Sequence, residues 1–173
     1  MNETLRIIKS RTSTKKFKSD MPDTATINAI IEAGLKAPSG RNMQSAIIVA
    51  VTNKEIRDRL SRANAAVMGA SSDPFYNAPV VLVVLARRDC PTYIYDGSLV
   101  MGNLMLAAHS LGVGSCWIHR AREVFNLSEW KNWLREIGVT GDYEGIGNCV
   151  IGYPDGECVA AKEIKDDRVF KVE

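Results

Sequence analysis

The nine-residue run APVVLVVLA, residues 78–86, decides the architecture of this chain. It carries no charge, and its valines and leucines follow one another without the alternation of a half-exposed strand. Such a run reads as a central strand covered on both faces. Upstream, SAIIVAVT (residues 45–52) is a second run of the same kind, a strand buried on both faces. Between the two, Asn53 caps a surface helix reaching about residue 64, with Ile56 and Leu60 turned inward. Earlier still, Ile27, Ile30, Ile31 and Leu35 share one face of a helix over residues 24–37, capped by Asp23 and stopped by Pro38.

Downstream of the central run, Leu99, Val100, Leu104, Met105, Leu106 and Leu111 cover most sides of a helix over residues 96–111. That helix is expected to be buried nearly all round, and it hints at a partner subunit, because a chain of 173 residues does not readily enclose it alone. VGSCWI (113–118) is a third strand, and Trp130, Trp133, Leu134 and Ile137 then mark one more amphipathic helix. GNCVIGYP (147–154) is a fourth strand and RVFKV (168–172) a candidate fifth. Helices alternating with apolar strands predict a mixed sheet flanked by helices, in one three-layer domain over residues 1–173.

Composition narrows the function. Hydrophobic residues make up 46% and charged residues 24%, a globular profile. With 22 basic and 20 acidic residues the net charge is only +2, which argues against a general nucleic-acid binder. Residues 1–9 hold no apolar signal core, and the longest uncharged segment, 97–110, is too short to span a bilayer and too polar at its ends, so a cytoplasmic protein with no membrane partner is expected. Cys90, Cys116, Cys149 and Cys158 show no C-x-x-C spacing and no nearby histidine pair, so neither a metal site nor a redox dithiol is suggested.

Two familiar chemistries fail. GVGSCW (112–117) lacks the third glycine of the dinucleotide fingerprint, and it follows a helix to enter a strand, the reverse of the required order. A serine or cysteine triad needs a histidine with a supporting acid, and neither His109 nor His119 has an evident one. His109 reads as a satisfied core residue; His119 is open between pocket lining and a plain strand end.

Two polar segments remain. APSGRNMQ (37–44) joins a helix end to a buried strand, where ligands bind in α/β proteins, and Ser39, Arg41, Asn42 and Gln44 supply a hydroxyl, a guanidinium and amides suited to a heterocycle edge. SRTSTKKFKS (10–19) interleaves charges with hydroxyls. There Arg11 offers a bidentate fork for phosphate, with Ser13 and Lys15 beside it. Together they suggest a ligand with an anionic end and a hydrogen-bonding ring system, while Lys16 and Lys18 read as solvated surface charge.

SRTSTKKF, APSGRNMQ, APVVLVVLA, DGSLVMGNLMLAAHSLGVGSCWI and IGYP, in that order and spacing, resemble the FMN-dependent nitroreductase family over nearly the whole chain. The resemblance implies an α+β fold (three-layer α/β/α) with a mixed central sheet, assembled as an intertwined homodimer with two FMN sites at the interface. It implies that Arg11, Thr12, Ser13 and Lys15 form the first FMN-binding segment, with the lysine near the pyrimidine ring. Pro38, Ser39, Gly40, Asn42 and Gln44 resemble the loop that approaches FMN, typically from the other subunit. Ser115, Cys116 and Trp117 resemble the segment along the isoalloxazine, and Lys162 a phosphate-contacting lysine near the C-terminus.

The chain departs from the family in two places. Gln44-Ser45-Ala46 stands where Gln-Pro-Trp is frequent, and Ile164 stands where an arginine is common, with Lys165 and Arg168 nearby as substitutes. Residues 63–76 are the candidate cover over the substrate. The implied activity is reduction of a nitroaromatic, quinone or similar small-molecule electron acceptor, with NADH or NADPH as reductant, in a ping-pong cycle whose hard chemistry the cofactor carries. A flavoenzyme with a dedicated dehydrogenation or dehalogenation substrate, and a non-catalytic flavin-binding dimer, are the alternatives.

Overall fold

The computed structural model describes residues 2–156, 160, 161 and 163–173. Its centre is a four-stranded sheet in the order β1-β2-β4-β3, formed by β1 (Ala46–Val51), β2 (Val80–Arg87), β3 (Gly114–Ile118) and β4 (Tyr143–Gly152). β2 is the expected central strand, with every residue from Val80 to Ala86 buried. Its side chains divide by parity. Val81, Val83 and Leu85 pack with Leu60 of α3 (Lys54–Met68), Phe125 of α5 (Ala121–Asn126), and Trp130 and Leu134 of α6 (Ser128–Glu136). Val80, Leu82 and Val84 pack with Ile27 and Ile30 of α2 (Thr24–Leu35), and with Val100, Met101 and Leu104 of α4 (Tyr93–Ser110). Two apolar cores, one on each face, make the three layers.

The α+β class is the observed one, but neighbouring strands are all antiparallel, where a mixed sheet was expected. β2 and β3 do point the same way, joined by the α4 crossover; β4 inserts between them and runs opposite to both. A one-residue irregularity at Val84/Leu85 leaves Ile146 of β4 without a cross-strand partner. β1, expected to be buried on both faces, lies at the sheet edge and is mostly half-buried.

Local signals explain the element ends. Asp23 accepts from the Thr26 amide at 2.7 Å and Asn53 from the Ile56 amide at 3.0 Å, as N-caps do. α3 runs beyond residue 64 to Met68 and stops at Gly69, whose φ of 70° is the left-handed C-cap that glycine suits. α1 (Glu3–Ser10) was not anticipated; it is capped by Asn2 and buries no residue. Residues 168–172, the candidate fifth strand, form none: a strand needs a ladder partner, and here Val169, Phe170 and Val172 are exposed, Phe170 by 87%. α4 is not enclosed all round, since Ile94, Tyr95 and Leu99 are exposed along it. No helix among the described residues is long and apolar enough to cross a membrane.

Candidate functional site

The basic segment after α1 is extended and lies against the edge of the sheet. The Thr14 amide donates to the Ser115 carbonyl at 2.9 Å, Phe17 bridges to Pro154, and the Lys18 amide reaches the Tyr153 carbonyl at 2.9 Å. An extended segment alternates its side chains. Arg11, Ser13 and Lys15 accordingly act on the Cys116 thiol: burial pushes it up, while a hydrogen bond from Ser13 and the Lys15 and Arg11 charges pull it down. Thr12 and Thr14 line a small cavity of about 150 Å³ on the other side, with His109 and Gly114. Thr12 is thus set apart from Arg11, Ser13 and Lys15, with which it was grouped.

Arg11 is the unusual member. Its Nη1 is buried and has no hydrogen-bond partner. A desolvated guanidinium nitrogen without an acceptor is costly, and an anion is the kind of group that would satisfy it. Ser13 and Lys15 beside it are exposed. Lys16, assigned to the surface, pairs with Asp155 at 2.8 Å. His109 was expected to be a satisfied core residue; it is satisfied, with Nε2 2.8 Å from the Ser10 hydroxyl, but half-buried at a cavity wall and not in the core, and burial, with the Arg11 and Arg6 charges, pushes its imidazole down.

The second segment is a tight 3₁₀ turn, Gly40–Asn42. Arg41, Asn42 and Gln44 all have positive φ, near 50°, a conformation that residues with a Cβ avoid. Its internal bonds account for part of this: the Ser39 hydroxyl accepts from the Gln44 amide at 2.9 Å, and Gln44 Nε2 donates to Asn42 Oδ1 at 3.3 Å. The rest comes from Asp96 in the first turn of α4, buried to 3% exposure. Its carboxylate accepts from the Gly40 amide at 3.0 Å, the Ser45 hydroxyl at 2.6 Å and the Thr92 hydroxyl at 3.2 Å. Burial pushes this carboxyl up, yet the three hydrogen bonds hold it below its ordinary value. Pro38, Asn42 and Gln44 stay exposed above that anchor, and Ser39 and Gly40 are half-buried. Sequence reasoning missed Asp96; an aspartate four residues after Thr92 in a helix otherwise read as apolar was the available signal.

In the third segment, Ser115 and Cys116 are buried, and Trp117 is half-buried beside Gly147. The structure therefore brings the arm and the β3 segment together, and it keeps the 38–44 loop away from both. The loop is tied to α4 at Asp96; the arm is tied to it at His109. Thirteen residues of helix separate those two ties, about 20 Å at 1.5 Å per residue. Lys162 lies outside the described residues.

Comparison with known proteins bears on the family and the fold. The chain matches the model of the nitroreductase family over residues 8–74 and 65–153. A nitroreductase of Bacteroides fragilis with bound FMN is 29% identical, superposes with a TM-score of 0.89, and is matched over 100% of both chains. A nitroreductase of Desulfitobacterium hafniense, also with bound FMN, is 26% identical with a TM-score of 0.89, again over 100% of both. A protein of Archaeoglobus fulgidus, provisionally named NADH dehydrogenase/NAD(P)H nitroreductase, is 28% identical over 91% of this chain and 88% of its own. With the sheet, the arm and the loop in place, the chain belongs to the nitroreductase family.

Proposed function

We propose that the chain is an FMN-dependent oxidoreductase that reduces nitroaromatics, quinones or similar acceptors with NADH or NADPH by a ping-pong mechanism, as a homodimer. The observation that carries the reading is the buried, unpartnered Nη1 of Arg11, at the position where the resemblance expects a cofactor phosphate. The donor set fits: a guanidinium can bind phosphate oxygens through a charge-assisted fork, and Ser13 and Lys15 next to it are free to face a ligand. Lys15 would supply positive charge beside a bound FMN, favouring its anionic reduced form. Bound FMN would supply the chemistry itself, accepting a hydride from NAD(P)H and passing reducing equivalents to the acceptor. The absence of an acid–base pair from the arm, the loop and the β3 segment suits that division of labour.

A distance within the chain supports the homodimer reading. On one chain the ties of arm and loop lie about 20 Å apart along α4, while a second copy packed in the opposite sense across α4 would bring its loop to the first copy's arm. Ile94, Tyr95 and Leu99 on α4, with Leu5 and Ile8 on α1, are exposed apolar residues suited to that contact. The deciding experiment is a visible spectrum of the purified protein after adding FMN, followed by NADH oxidation with nitrofurazone or menadione. A colourless protein after desalting rejects the flavin site. A yellow protein that leaves NADH untouched with every acceptor keeps the site and rejects the activity.

A further inference from the structure

A cavity of about 260 Å³ opens beside the end of β3, away from the arm. Trp117 forms part of its wall, Ile94 and Ser98 come from α4, and His119 and Arg120 complete it. The charges around it differ in kind. Glu144, buried on β4, is held by Arg88 at 3.1 Å and by Arg122 at 3.0 Å. Arg120 has no ion pair and no side-chain hydrogen bond among the described residues, although Glu123 also lines the cavity. Arg120 and Arg122 face Glu123 and Glu144 around the cavity, and Arg88 is shared between Glu144 and Asp142, so Arg120 is the cation left without an ion pair.

Arg120 is also held in an unusual conformation, with φ 72° and ψ 12°, the left-handed region where glycine is the ordinary residue. The turn is fixed from behind. Asn64 Nδ2 donates to the His119 carbonyl at 2.8 Å and Asn148 Nδ2 to the same oxygen at 3.5 Å, and both asparagines are fully buried. A long cation held in this conformation at a cavity wall is a candidate for a functional role.

We infer that Arg120, assisted by His119, is a specificity determinant that binds the carboxylate of an aromatic electron acceptor. This rests on the flavin reading above, because Trp117 belongs to the segment that resembles the isoalloxazine wall. The volume limits the occupant: it is smaller than a typical ligand pocket, large enough for one substituted ring and too small for a dinucleotide. A whole reductant does not fit inside it, whereas a monocyclic acceptor does.

The test compares kcat/KM for 4-nitrobenzoate with that for 4-nitrobenzamide in the FMN-loaded protein and in R120M, R120G and R120K. Calorimetric titration with benzoate, which is not reduced, runs in parallel. Losing one charge-assisted contact should lower the nitrobenzoate-to-nitrobenzamide ratio about tenfold in R120M and R120G and weaken benzoate binding similarly, with R120K keeping most of both. R120G relieves the left-handed backbone, so it should melt no lower than the parent, and its loss of preference then does not reflect unfolding. An unchanged ratio and unchanged benzoate affinity in R120M and R120G overturn the inference, as does a rise in KM for NADH with the acceptor ratio intact. If the protein binds no flavin, the proposed function fails separately, and benzoate titration of the protein as purified still decides whether Arg120 holds a carboxylate.

Discussion

Replacing Asp96 by alanine should destabilise the fold and loosen the 38–44 loop together. The carboxylate is the shared acceptor for the Gly40 amide and the Ser45 and Thr92 hydroxyls, and Ser45 is itself buried. Each buried donor left without an acceptor costs about 1–3 kcal/mol. Thr92 is half-buried and can turn towards water, and removing a buried carboxylate recovers part of its desolvation cost. The net loss is about 3 kcal/mol, the lower edge of what breaking a buried charged contact costs. For a domain of this size that lowers Tm by about 6–12 °C. Asp96→Asn is the finer probe. Its Oδ1 can still accept from Gly40 while its amide donates to the hydroxyl oxygens, so only the charge assistance is lost, about 1 kcal/mol. The pH dependence then has a fixed sign. The folded-state pKa lies below the ordinary 3.8, so the ionised carboxylate's contribution is complete above that value and fades as pH falls through the lower folded-state value. The gap between wild type and Asp96→Asn should be constant from about pH 5 to 8 and close below about pH 4. Urea unfolding at one fixed protein concentration, with and without FMN, reads all of this. A gap that widens on acidification, or an Asp96→Ala protein melting with wild type, would refute the anchoring role.

Arg11→Ala should weaken FMN binding at least about tenfold, read as flavin fluorescence quenching, because one charge-assisted contact to phosphate disappears; equal affinity removes the phosphate role. Gly145→Ala should fail to fold or lose most of its soluble yield. Its new Cβ would strike the carbonyl group of Ala121, which as backbone has nowhere to retreat; a variant melting near wild type would show that α5 can shift. Cys149 is fully buried and its thiol is pushed up to about 12, so iodoacetamide at pH 8 should label it only after denaturation. Labelling of Cys149 in the native protein, located by mass spectrometry, would contradict that burial.

The sequence signals that succeeded were those written in one segment. The unbroken apolar run of β2, the caps at Asp23 and Asn53, and the apolar spacing of α2 and α6 each report a local environment, and each element is present. What failed depended on partners remote in sequence. Strand direction was misjudged because nothing in 113–118 reveals that β4 slides between it and β2. α1 was overlooked because it packs too little to need an apolar stripe with buried residues. RVFKV has a strand's composition, but composition does not supply a neighbouring ladder. In the arm, grouping Thr12 with Arg11, Ser13 and Lys15 overlooked the alternation of an extended segment, and Asp96 could not be seen as the anchor of a loop more than fifty residues before it. The separation of arm and loop along α4 is a three-dimensional fact with no counterpart in either segment.

Because the arm and the loop are fastened to opposite ends of α4, two-fold pairing across that helix would make every cofactor site the joint property of two polypeptides. Defects would then be inherited by site, not by chain. A cell expressing one copy with Arg11→Ala and another with Asp96→Ala would assemble mixed dimers in which one site carries both lesions and the other carries neither. Two alleles that each leave every site defective when alone would together restore about a quarter of the normal number of intact sites, by the symmetry of random pairing. A chain that built its whole site within itself would show no such rescue.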